Sequence, residues 1–121
     1  MTQFAIRFDP WYRVLSTVLL LPPSSAHVIA GEEIEVRMGW AFHARFPRSA
    51  VVSAAPADMR PLSRGVHGFG GRWLVNGSGS GIVRIELRPA QRAHVTGLPV
   101  SLRELLVSVD DPRALVAALG R

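Results

Sequence analysis

Cysteine is absent from this 121-residue chain, so no disulfide framework and no thiolate metal site can form, and a reducing compartment, most simply the cytoplasm, is the expected setting. Lysine is absent too. All 14 basic residues are arginine, scattered from Arg7 to Arg121 without a basic run, which speaks against nucleic acid as partner despite a net charge of +5. Aromatic residues amount to 7%, and the longest apolar stretch, Val14 to Leu21, contains Ser16 and Thr17 and stops at Pro22-Pro23. That is far below the roughly 20 residues of a membrane-spanning helix. Asp9, Trp11 and Tyr12 stand where a secretory leader would be basic, and no A-x-A site follows.

Chemical signatures are equally sparse. There is no G-x-x-x-x-G-K-[ST] and no G-x-S-x-G, so Ser78 and Ser80 have no case as nucleophiles. The glycines miss G-x-G-x-x-G because Trp73 and Ile82 occupy its last position. His27, His43, His67 and His94 show no metal-ligand spacing, and neither metal nor cofactor is implied. The sequon Asn76-Gly77-Ser78 matters only in a secreted eukaryotic chain.

What the chain does have is glycine in one place. Seven of its 11 glycines fall between Gly65 and Gly81 around Trp73-Leu74-Val75, and this stretch reads as a hinge between two halves of a β structure. Phe4, Ile6 and Phe8 alternate as a strand does, and Trp11 to Leu20, apolar on both faces, is expected to be a buried strand with helix as the competitor. Glu33 to Met38 and Ala41 to Phe46 alternate around Gly39 as a hairpin, and Val51 to Ala55 adds a third strand to that meander. A loop covers Pro56 to Arg64. Asn76-Gly77 predicts a type I′ turn joining Arg72–Val75 to Gly81–Leu87, with two further strands at Ala93–Thr96 and Glu104–Val109. Asp110-Asp111-Pro112 followed by an alanine-rich stretch and Gly120 is a capped helix, whose Leu115, Ala118 and Leu119 need a surface to dock on.

The expected fold is therefore mainly β: an antiparallel, partly open barrel or two near-orthogonal sheets, closed by one C-terminal α-helix. The Ile34–Phe46 hairpin, GVHGFGGRWLVNG, GIVRIELRP and LLVSVDDPRALVAAL together give a layout that resembles the pleckstrin-homology (PH) superfold, in particular small bacterial PH-like domains. The resemblance divides the chain into residues 1–25, an N-terminal strand extension, and residues 26–121, a PH-like β-barrel domain. It implies a binding module rather than an enzyme. Lipid-binding members carry K-x(n)-[K/R]-x-R along the first hairpin, whereas Glu33, Glu35, Arg37, His43, Arg45 and Arg48 stand here without that spacing. The expected partner is thus another protein or a second copy of the chain, with an anionic lipid surface, and so a peripheral place at the membrane, left open although the motif is absent.

Two candidate sites remain. His67, Arg72 and Trp73 would stand at a pocket mouth if the barrel held a small molecule or a small enzyme's active site. Arg84, outward on its strand, with Arg88 and Arg92 flanking the next turn on the same side, would form an anion-recruiting face for a protein, lipid or nucleic acid, or a solvated face paired with Glu86 and Glu104. Trp11, Trp40 and Trp73 are expected to pack in the core or along a sheet edge.

Overall fold

A computed structural model describes residues 2–12, 26–57 and 65–120, apart from the side chains of Gly65, His67 and Phe69. Among the described residues there are nine strands: β1 Thr2–Ala5, β2 Ala26–Ala30, β3 Glu33–Met38, β4 Phe42–Pro47, β5 Val51–Pro56, β6 Gly65–Phe69, β7 Arg72–Asn76, β8 Ile82–Val95 and β9 Leu98–Ser108. They form one sheet in the order β1-β2-β3-β4-β8-β9-β7-β6, with β5 on β8. The sheet is strongly curled into an open half-barrel, and one helix, α1 (Pro112–Leu119), follows it.

The alternation in the sequence becomes the two faces of this sheet. Ile34, Val36 and Met38 of β3 and Phe42, Ala44 and Phe46 of β4 point into the core at 0–1% exposure, paired as Ile34 with Phe46, Val36 with Ala44 and Met38 with Phe42. Ile85, Leu102 and Leu105 meet them from β8 and β9. The helix closes over β5, β8 and β2 with Leu115 and Leu119 buried. Each contributes about 1.5–3 kcal/mol by leaving water. Its ends are held as predicted: Asp111 accepts from Ala114 N (3.1 Å), Pro112 opens the first turn, and Gly120 takes the left-handed conformation at φ 69°. Arg48 ties the far end down, donating to the carbonyls of Gly31 (2.9 Å) and Ala118.

Several expectations are corrected. Val51–Pro56 is a strand, but it pairs with Leu87–Val83 of β8 and so leaves the β3–β4 meander. The turn residues Arg48–Ala50 let the chain pass from one half of β8 to the other, because β4 pairs with Val95–Ala93 and β5 with the half before the irregularity between Glu86 and Gln91. The two shorter strands expected from Gly81 to Thr96 are this single long β8. Ala26–Ala30, not foreseen as a strand, pairs with both β1 and β3. The sheet is not wholly antiparallel, since β7 runs parallel to β9.

Asn76-Gly77 is not the predicted turn. The hairpin lies upstream, where Gly70 (φ 64°) and Gly71 (φ 86°) join β6 to β7, so the supposed hinge is itself two paired strands. Trp11 and Tyr12 belong to a helical turn beginning at Pro10 rather than to a strand, and the rest of the apolar run, residues 13–21, lies outside the described residues. So does most of the expected loop, residues 58–64. No helix of the described residues is long and apolar enough to cross a membrane.

Candidate functional site

The serines and glycines after β7 form a clasp around the N-terminal segment. Ile6 bridges Val109 and Phe8 bridges Gly77, which brings Arg7 and Asp9 against residues 76–81. Arg7 Nη1 donates to Ser80 Oγ (3.0 Å) and Nη2 to the Asp110 carbonyl (2.8 Å), while Ser78 Oγ donates to Asp9 Oδ1 (2.9 Å). Ser108 Oγ donates to the Arg7 carbonyl (2.9 Å) and accepts from Gly77 N (3.1 Å). Every hydroxyl in the set is committed to holding chain to chain, and Asn76 Nδ2 donates to the Ser78 carbonyl within the loop (2.8 Å).

The predicted pocket mouth does not assemble. Arg72 and Trp73 are consecutive strand residues and point to opposite faces: Trp73 packs half-buried on the core, while Arg72 lies outside with Glu104. His67 is a β6 residue opposite Leu74, and its side chain is outside the described atoms. The structure instead joins Arg72 to Arg84. Register places Arg72 and Glu86 on either side of Glu104, and Glu104 Oε1 sits 3.0 Å from Arg72 Nε and 3.3 Å from Arg84 Nε. Both are charge pairs, since neither contact has hydrogen-bond alignment.

Arg88 lines an outward hollow together with Arg103, Glu86 and the same Glu104, and Arg92 lines the next hollow with Gln91 and Ser101. The three arginines of β8 thus share the outer face, all exposed, with Arg84 engaged by a carboxylate.

A second grouping was not read from the sequence. Across β2, β3, β4 and β8 the register aligns His27, Arg37, His43 and His94 in one row on the outer face. In the next row Glu35 is approached by His43 Nε2 (3.2 Å), Arg45 Nη2 (3.3 Å) and His27 Nε2 (3.7 Å). The hydrogen bond from His43 holds the Glu35 carboxyl below its ordinary range, against the effect of burial and with help from the charges of His43, Arg45 and Arg37. Spacings of 16 and 51 residues hide this row; only the pairing register exposes it. Among the described residues no group of three or more His, Asp or Glu side chains is placed to hold a metal ion.

Two tryptophans are also not where the sequence puts them. Trp11 is 58% exposed and Trp40, in the β3–β4 turn, 59% exposed, so only Trp73 packs against the core.

No family model, curated protein or solved structure matches this chain.

Proposed function

We propose that this chain is a non-catalytic binding module that meets its partner with the outer face and turns of its half-barrel. The observation that carries this reading is the filled core: Phe42, Phe46, Ile34, Met38, Leu102, Leu105 and Leu115 occupy the concave side at 0–1% exposure. The separation of Arg72 from Trp73 supports the same reading, since it removes the pair that would have marked a pocket mouth. The order of elements, a β shell followed by a capped helix, supports a place among PH-like modules, and a cysteine-free chain supports a cytoplasmic setting. Native mass spectrometry of the protein as isolated tests the proposal. The expected mass is that of the polypeptide or a multiple of it; a stoichiometric small molecule retained in the fold would overturn it.

A further inference from the structure

The β3–β4 and β8–β9 turns meet at one end of the sheet. Phe42 pairs with Val95, and Thr96 N donates to the Ala41 carbonyl (3.0 Å), so the two turns are held side by side. Each carries a large apolar side chain in water: Trp40 is 59% exposed and Leu98 67% exposed. Neither Met38–His43 nor His94–Pro99 contains an acidic residue. Immediately behind the turns runs the row His27, Arg37, His43 and His94, in which Arg37 carries the formal positive charge, and the carboxylate of the next row, Glu35, is already engaged by His43 and Arg45.

We infer that these paired turns dock on an anionic lipid bilayer, with Trp40 and Leu98 entering the headgroup region and Arg37, in the row behind them, serving the lipid phosphates and carboxylates. The inference rests on the binding-module proposal and names its partner. An indole is suited to the headgroup level, where its apolar body and N–H are both accommodated. Basic residues close to the surface add electrostatic attraction that salt weakens. A protein partner fits the shape less well: two apolar side chains on projecting turns make a point, whereas a stable protein interface covers about 800 Å² on each partner. A fluid bilayer accepts a point.

The test is flotation of the full chain with phosphatidylcholine vesicles, with and without phosphatidylserine, combined with quenching of tryptophan fluorescence by brominated acyl chains. Flotation is expected only with phosphatidylserine, and the Trp40→Phe variant should lose the quenching. The double variant Trp40→Ser/Leu98→Ser should bind at least about tenfold more weakly at an unchanged melting temperature, and Arg37→Gln should weaken binding and flatten its salt dependence. Equal binding by the double variant, equal binding to neutral vesicles, or no flotation would overturn the inference. Should flotation fail while the native mass is that of a dimer dissociated by the double variant, the turns are a protein contact; the bilayer is then wrong and the module reading stands. A small molecule retained in the native mass sinks the module reading whatever the vesicles show.

Discussion

The ring of Phe8 fills the space where a side chain of residue 77 would stand: a Cβ built on Gly77 would lie 2.6 Å from two ring carbons and 2.7 Å from the Arg7 carbonyl oxygen. Gly77→Ala should therefore destabilise the fold by roughly 1–3 kcal/mol through overpacking, and Phe8→Ala by roughly 3–5 kcal/mol through lost burial. Urea unfolding of the double variant should show less than the sum, because shortening Phe8 removes part of the clash. Strict additivity would mean the two residues do not meet.

The helix is held at both ends, and each hold can be removed alone. Asp111→Ala should cost about 1 kcal/mol by stripping the cap from Ala114 N. Arg48→Met should cost about 1–3 kcal/mol by leaving the Gly31 and Ala118 carbonyls without their charged donor. Thermal melts distinguish these from Leu115→Ala, where about 2–5 kcal/mol is expected from an emptied core position.

Glu35 makes stability depend on pH in a predictable sense. Its folded-state pKa is depressed from the ordinary 4.5, so its contribution is complete above that value and disappears as pH falls through the lower, folded one. Glu35→Gln should flatten the stability profile from about pH 4.5 downward. An unchanged acid limb in a melting series would show that the His43 and Arg45 contacts do not persist in solution.

Charge on the outer face should govern retention on an anionic matrix. Replacing Arg84, Arg88 and Arg92 with Gln should weaken salt-sensitive retention, whereas Glu104→Gln should strengthen it by freeing the Arg72 and Arg84 guanidinium groups from their shared carboxylate. Elution at the same salt concentration for both variants would retire the idea.

How much of this was legible in the residues depends on the range of the interaction that decides it. Strand β3, strand β4 and the capped helix were readable because alternation, Gly39 and the Asp-Pro…Gly punctuation are local signals. Asp9-Pro10 carries the same Asp-Pro order as Asp111-Pro112 and likewise begins a helical turn, so that signal too is local. Gly77 misled for a different reason: glycine serves tight turns and close approach alike, and only the distant Phe8 decides between them. The row of Arg37 with His27, His43 and His94 and the Arg72–Glu104–Arg84 grouping depend on register between strands far apart in the chain, and exposure of Trp40 depends on which neighbours reach it. None of these is written in spacing.

The lacing of the N-terminal segment to the end of β9 bears on how the protein is made. Arg7 and its partner Asp110 are 103 residues apart, so on a ribosome β1 can pair early with β2, but the segment after it must wait until residue 110 has emerged before Ile6, Arg7 and Phe8 find Val109, Asp110 and Gly77. With closure this late, folding is limited by long-range contacts, and Ile6 and Phe8 stay uncovered until those residues are made. Nascent chains stalled short of residue 110 should be open to protease at the N-terminal segment and prone to holdase chaperones, and released chains should lose both properties together.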